Sequence, residues 1–172
     1  MGVGFVHLTV KTSFSLLEGM IQPKGLGKTA GKLGFPAVGV TDIGNMFGAV
    51  ELSKYLPDQG IQPILGAELP VWLPAIPGKT RVAGYLTLLV QNQTGWVNLC
   101  KLISAAQESK LTLDRDGVEL DEVLAHAEGL IALSGPYGRG IADGWRQMGV
   151  LAEQLRKLQG AFGDRAYVQL QR

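Results

Sequence analysis

The sequence predicts an α/β fold in which helices cover a mostly parallel sheet. Short apolar segments alternate along the chain with segments of helical periodicity, as expected for strands joined by helical crossovers. The chain has 172 residues, 46% of them apolar and 18% charged, which suits one globular domain of ordinary size. This alternation is compatible with an open, doubly wound sheet and with a barrel.

The first strand is predicted over residues 4–10, where apolar and polar side chains alternate. Successive side chains of a strand point to opposite faces, so this segment has one apolar and one largely polar face. The polar face ends beside a Thr/Ser-rich turn. It is compatible with a metal site, the remains of one, or an ordinary strand. One face carries Val6, Leu8 and Val10, and the other carries Phe5, His7, Thr9 and Lys11.

The first helix is predicted to begin at Pro23, because proline is favoured in the first turn of a helix. Leu26, Ala30 and Leu33 have helical spacing and are predicted to face inward. Gly34 is predicted to end the helix as its C-cap glycine.

The remaining elements follow the same alternation. The segment 70–84 holds three of the eight prolines and is predicted to be irregular. No residues follow the last predicted strand to form a covering helix. We therefore expect the chain to be part of a longer protein, the alternative being a natural C-terminal edge strand. Strands are predicted over 35–42, 61–68, 85–91, 129–135 and 165–172, and helices over 46–56, 95–109, 117–129 and 149–160.

The composition narrows the function classes. The formal net charge is +1, which does not indicate a nucleic-acid footprint, and Lys24, Lys28 and Lys32 are interpreted as a solvated helix face. The single cysteine, Cys100, excludes a disulfide within the chain and a cysteine-based zinc motif, and we expect it to be buried. A reducing, cytoplasmic compartment fits this cysteine content. The sequence shows no signal peptide and no transmembrane run of about 18 apolar residues.

Polar residues near predicted strand ends form the candidate site. A hydrolytic metal centre needs several neutral imidazoles and carboxylates, but the chain has two histidines, and His126 lies in an acidic helix. Lys11 has no lone pair when protonated, so it fits better as a counter-ion to an acid. His7 could equally be an ordinary strand histidine, and Asp42 a helix N-cap. The candidate residues are His7, Thr9, Lys11, Asp42 and Glu68.

Three segments carry a family resemblance. They read FVHLTVKTSFSLLEG, GFPAVGVTDIGNMFGAVELSKYLPDQGIQPILGAEL and YLTLLVQNQTGWVNLCKLIS. With GLIALSG and AYVQLQR, they resemble the N-terminal polymerase-and-histidinol-phosphatase (PHP) domain of bacterial DNA polymerase III alpha subunits. The resemblance extends over residues 1–172 in the family's order. The chain is also similar, more weakly, to an error-prone paralogue of these polymerases.

The resemblance implies a fold and a degenerate site. The family fold is a distorted seven-stranded (β/α)7 barrel, which we expect here to be truncated at its C-terminal end. In metal-binding members, histidines stand where this sequence has Thr9, Lys11, Ile43 and Tyr85. Asp42 and Glu68 match acidic family positions, and His7 matches a histidine of the polymerase subgroup. The resemblance therefore implies vestigial metal-site positions, with no bound metal, cofactor or catalytic residue in this chain.

The resemblance also implies a function. It predicts a structural and subunit-interaction module of a DNA-directed DNA polymerase, in contact with the proofreading exonuclease subunit and the remaining polymerase domains. DNA would be bound through the parent chain, and no membrane is involved. A homodimer could form across the open edge of the truncated barrel. The alternatives are a metal-dependent phosphoesterase or 3′–5′ exonuclease, and an unrelated α/β binding domain.

Overall fold

A computed structural model of the chain describes residues 5–75, 83–113 and 117–170. The chain forms two compact units, Met1–Ala67 and Glu68–Arg172. The strands of the described ranges are β1 His7–Val10, β2 Ala37–Ile43, β3 Gln62–Trp72, β4 Ala83–Val90, β5 Leu130–Leu133 and β6 Ala166–Tyr167. The α-helices of those ranges are α1 Pro23–Lys32, α2 Ala49–Tyr55, α3 Gln93–Leu113, α4 Leu120–Ala125, α5 Ile141–Gln147 and α6 Leu151–Phe162. Short 3₁₀ helices cover Pro57–Gln59 and Gly163–Arg165.

The predicted α/β class with a mostly parallel sheet is confirmed. Strand order follows chain order from β1 to β6. In the first unit β1 and β2 are parallel, and Val10 lies opposite Val40. In the second unit β5 and β6 are parallel, whereas β4 and β5 are antiparallel. The antiparallel pair was not predicted, because the short strands β4 and β5 are apolar and neither carries a sequence signal of direction.

The core of the first unit lies between α1, β2 and α2. The helix α1 begins at Pro23 as predicted, and Gly34 follows it with a left-handed φ of 70°. Leu33 is 62% exposed, so its predicted inward position is wrong: the helix has already ended there, and Leu33 is its C-cap. The buried cluster contains Leu26, Ala30, Val38, Val40, Leu52, Leu56 and Ile61.

The core of the second unit includes β4, α3 and α5. Leu99 and Leu102 of α3 are fully buried, as their helical spacing predicts. The helix α5 was not predicted, because its seven residues IADGWRQ are too few to show a clear helical period. Its Ile141 and Trp145 are nevertheless both fully buried.

Several predicted boundaries differ from the structure, including those of α3 and α4, predicted over 95–109 and 117–129. The strand β3 continues to Trp72, inside the segment predicted to be irregular, because the Trp72 N–H donates to the Val118 carbonyl at 2.9 Å. Residues 73–75 have no regular structure, as predicted, and residues 76–82 lie outside the described residues. Ala83 and Gly84, also predicted to be irregular, belong to β4. The helix α2 begins at Ala49 rather than at residue 46, and β6 has only two residues.

The predictions made for isolated residues have mixed outcomes. Lys24, Lys28 and Lys32 are exposed, as expected for a solvated helix face. Cys100 is half-buried rather than buried, and His126 is half-buried at the C-cap of α4. Within the described ranges, no helix is both long and apolar enough to cross a membrane.

Candidate functional site: two buried carboxylate clusters

The first cluster surrounds the carboxylate of Asp42, near the end of β2. Because β1 and β2 are parallel, the turn after β1 lies beside this end of β2. Asp42 is 3% exposed. Its Oδ1 accepts hydrogen bonds from the Thr12 N–H at 2.7 Å and the Ser15 hydroxyl at 2.5 Å, and its Oδ2 accepts from the Thr12 hydroxyl at 2.7 Å. Three donors of the chain itself therefore stabilise the buried carboxylate.

The donors to Asp42 are held in place by further hydrogen bonds. The Thr12 hydroxyl accepts from the Phe14 N–H at 3.2 Å, and the Ser15 hydroxyl accepts from the Ile43 N–H at 3.2 Å. The side-chain amide of Asn45 donates to the carbonyls of Phe14 at 3.1 Å and Ile43 at 2.9 Å. Together these bonds tie the turn after β1 to the end of β2.

The alternative interpretation of Asp42 as a helix N-cap is wrong. The N-cap of α2 is Gly48, and its cap involves no side-chain hydrogen bond. The carboxylate instead binds the turn after β1, through Thr12 and Ser15. A Thr–Asp pair shortly before a helix is compatible with a helix N-cap and with hydrogen bonds to a neighbouring turn, so the sequence alone does not distinguish the two.

Lys11 precedes Thr12, a donor to Asp42, and its side chain binds Thr41, the residue before Asp42. Its half-buried ammonium donates to the Thr41 carbonyl at 2.5 Å and lies 3.4 Å from the Thr41 hydroxyl. The hydrogen bonds described above show that Asp42 receives uncharged donors. The predicted pairing of Lys11 with Asp42 or Glu68 stays a prediction.

The remaining predicted residues of the first unit donate no hydrogen bond to the Asp42 carboxylate. The exposed His7 ring packs edge-on against Phe5 at 4.7 Å and Phe35 at 5.0 Å between ring centroids. His7 lies opposite Val38, four residues before Asp42 in β2, which places it about 13 Å away along the strand. Thr9 is half-buried within β1, and Ile43 contributes its backbone N–H to the cluster.

The second cluster belongs to the second unit and contains Glu68 and Tyr85. Glu68 is 1% exposed, and its Oε1 lies 3.0 Å from the Arg139 guanidinium. The same guanidinium lies over the Tyr85 ring, with its central carbon 5.0 Å from the centroid. The Tyr85 N–H also donates to the Arg139 carbonyl at 2.9 Å, so backbone and side chain both hold the pair together.

Sequence reasoning missed Arg139. It lies in the Gly-rich connection between β5 and α5, where Gly135 and Gly138 both have a left-handed φ of 84°. The sequence GPYGRG indicates a turn, but nothing in it indicates that the arginine reaches a buried acid on another strand. The sequence around Tyr85 likewise does not indicate that its ring forms a cation–π contact with Arg139.

Neither cluster fits a metal ion. The Asp42 oxygens already accept hydrogen bonds from the chain, Ile43 has no donor side chain, and Glu68 is paired with an arginine. Among the described residues, no group of three or more His, Cys, Asp or Glu side chains is placed to hold a metal. Metal ions in hydrolytic sites require several such ligands.

An exposed apolar loop follows the Asp42 cluster. Leu16, Leu17 and Met20 are 83%, 106% and 93% exposed, and Phe47 before α2 is 73% exposed. Leu17 also has a left-handed φ of 66°, a conformation that non-glycine residues rarely adopt. The buried polar cluster therefore supports a loop that presents large apolar side chains to solvent.

Comparison with known proteins assigns the family. The PHP domain family model matches residues 7–172. DNA polymerase III subunit alpha of Caulobacter vibrioides is 42% identical over 99% of this chain, and that of Pseudomonas aeruginosa is 39% identical over 100%. The chain spans about 15% of the length of each. A solved structure of a candidate metal-dependent phosphoesterase from Bifidobacterium adolescentis has a TM-score of 0.46 at 19% identity, over 96% of this chain and 58% of its own. The chain belongs to the PHP domain family.

Proposed function

We propose that this PHP domain is a structural and subunit-interaction module of a DNA polymerase III alpha subunit. The parent chain would be a DNA-directed DNA polymerase that works in the cytoplasm and binds DNA. The module would contact the remaining polymerase domains and the proofreading exonuclease subunit. It would use no cofactor and carry no catalytic residue.

The observation that carries this proposal is the closed hydrogen-bond network of Asp42. A carboxylate that binds a divalent ion must keep oxygen lone pairs available for it. Here both oxygens accept hydrogen bonds from Thr12 and Ser15 at 2.5–2.7 Å. These groups connect β1 to β2, so the former ligand position supports a structural role.

The exposed apolar loop supports the interaction part of the proposal. Large apolar side chains grouped on a surface commonly mark protein–protein contacts. Leu16, Leu17 and Met20 lie in one loop whose first residues are tied to Asp42 and Asn45. A pre-ordered loop loses less conformational entropy on binding than a flexible one.

Metal analysis and a hydrolysis assay test the proposal against a metal-dependent phosphoesterase or 3′–5′ exonuclease. We expect chelator-free protein to contain far less than one zinc or manganese ion per chain. We also expect no hydrolysis of a chromogenic phosphate ester or single-stranded DNA above background, since no metal activates a water molecule. Two or more bound ions per chain, or manganese-dependent turnover that disappears in Asp42→Asn, would establish the enzyme instead.

A binding measurement tests the interaction role. The exonuclease subunit from the same cell is titrated against the chain and against a Leu16→Ser, Met20→Ser variant. We expect weaker binding for this variant and unchanged binding for Val97→Ser, Val168→Ser, which removes two other exposed apolar side chains. Equal affinities for both variants would exclude this loop from the interface. Sedimentation equilibrium of the chain alone tests the proposed homodimer.

A further inference from the structure

One face of α1 is exposed and basic, and between Pro23 and Lys32 it carries no large apolar side chain, whereas Leu33 at the C-cap is 62% exposed. Lys24, Gly25, Lys28, Thr29 and Lys32 are all exposed. The opposite face of the same helix is buried in the core of the first unit, where Leu26 is 7% and Ala30 is 1% exposed. The apolar side of α1 is therefore already occupied, and its basic side faces solvent.

The three lysines of this face have no acidic partner in the described part of the chain. Neither a hydrogen bond nor an ion pair joins Lys24, Lys28 or Lys32 to any described residue. The helix itself, PKGLGKTAGK, contains no acid. It packs against α2 and the 3₁₀ helix Pro57–Gln59, whose charged residues are Glu51, Lys54 and Asp58.

This arrangement of lysines does not help α1 to form. Like charges four residues apart on a helix repel each other. Lys24 is also in the first turn, where the helix dipole disfavours a positive charge, and no acid of that turn offsets it. Only Lys32, in the last turn, is favoured by the helix dipole, so helix stability gives no reason for the lysines at positions 24 and 28.

We propose that the exposed face of α1 binds the phosphate backbone of a nucleic acid. Lysines four residues apart are separated by about 6 Å along the helix axis, so the three ammonium groups extend over about 12 Å. At about 3.4 Å per nucleotide along one strand, this length corresponds to three or four phosphates. Each lysine can thus reach a different phosphate of one strand.

The composition of the face favours a phosphate backbone over a lipid surface. A helix that binds a membrane interface inserts apolar side chains, whereas the apolar residues Leu26 and Ala30 are buried in the protein. Gly25 has open space where a Cβ atom would lie, and Thr29 offers a hydroxyl donor, so a backbone can approach closely. Contacts from lysines to phosphates carry no sequence information, so we expect binding without sequence preference.

This inference goes beyond the proposed function, in which the parent chain binds DNA and no DNA contact is assigned to this domain. It does not depend on the metal content or on the exonuclease interface. Those two properties have their own assays above, so failure of either proposal is distinguishable from failure of this one.

The salt dependence of DNA binding tests the inference. Fluorescence anisotropy of a labelled 20-base-pair duplex is measured with three proteins. They are the wild-type chain, a triple α1 variant that combines Lys24→Gln, Lys28→Gln and Lys32→Gln, and a control. The control is a second triple variant that removes the same charge from exposed positions elsewhere. It combines Lys101→Gln, Arg156→Gln and Lys157→Gln. We expect the slope of log Kobs against log salt to be less steep by about 2.7 in the first variant, or about 0.9 for each lost phosphate contact. The control should keep the wild-type slope.

A second variant separates binding from folding. Thr29→Glu places an acid on the same face, three residues before Lys32, where the pair can stabilise the helix. We expect weaker DNA binding with an undiminished Tm. Wild-type slopes in the triple α1 variant, or equal losses in that variant and the control, would overturn the inference. It would also be overturned if the α1 variant lost binding to phosphatidylserine vesicles but kept its DNA slope.

Discussion

Replacing Asp42 should destabilise the chain although no ligand is involved. The carboxylate is 3% exposed and accepts hydrogen bonds from the Thr12 N–H, the Thr12 hydroxyl and the Ser15 hydroxyl. Asp42→Ala removes the acceptor of all three donors. Asp42→Asn keeps one carbonyl oxygen in the position of Oδ1, so it should retain part of the network.

The expected magnitudes follow from these contacts. A hydrogen bond to a charged group contributes about 1.5–3 kcal/mol, so three would give an upper limit of about 4.5–9 kcal/mol. The bonds share one carboxylate and are not additive, and the two hydroxyls can turn to other partners. We therefore expect a loss of about 3–5 kcal/mol for Asp42→Ala, much of it from the orphaned Thr12 N–H. For Asp42→Asn we expect about 1–3 kcal/mol, because one oxygen remains an acceptor.

Urea denaturation followed by circular dichroism measures these losses. The midpoint should fall at an unchanged slope, which indicates lost stability rather than a changed denatured state. Asp58→Asn is the matched control, because Asp58 is exposed and its loss should change stability by less than about 0.5 kcal/mol. If Asp42→Ala is as stable as Asp58→Asn, the Asp42 network does not support the fold.

The other predictions concern stability in both units. Arg139→Met should destabilise the chain by removing a charge partner of the buried Glu68. The loss should be smaller than the about 3–5 kcal/mol of a fully buried pair, because the Arg139 side chain is 33% exposed, and adding Glu68→Gln should recover part of it in the same urea assay. Gly25→Ala should raise the Tm through a gain of about 1 kcal/mol in helix propensity, and a Tm below wild type would contradict this. Gly27→Ala should lower it, because its Cβ would lie 2.9 Å from the Tyr55 carbonyl oxygen. A chelator should leave the Tm unchanged, and a fall reversed by zinc or manganese would show a bound metal.

Local signals in the sequence predicted the elements that depend on local chemistry. Pro23 and Gly34 fixed the ends of α1, because proline preorganises the first turn and glycine tolerates a left-handed φ. Leu33 was placed wrongly because it continues the helical spacing one residue past the last helical turn. The helix α5 was missed because tertiary packing decides which of its residues are buried. A segment of seven residues is too short to show a helical period in its sequence.

The candidate sites were predicted only in part, for a related reason. The family pattern identifies Asp42 and Glu68, but the groups that bind these two carboxylates come from elsewhere in the sequence. Thr12 and Ser15 are ordinary turn residues, and Arg139 lies 71 residues after Glu68. Their contacts depend on tertiary structure, so neither spacing nor residue type could indicate them.

The Asp42 network also explains why a strained leucine is tolerated in the loop after β1. A non-glycine residue with a left-handed φ costs about 1–3 kcal/mol, and Leu17, fully exposed, recovers none of this by packing. The loop is closed by hydrogen bonds from the Glu18 and Gly19 N–H groups to the Ser15 carbonyl at 3.0 and 2.9 Å. Ser15 is in turn fixed to Asp42, so the stabilisation expected from the network is large enough to offset the strain. The buried Asp42 carboxylate thus holds an apolar loop in a fixed conformation, as a binding surface requires.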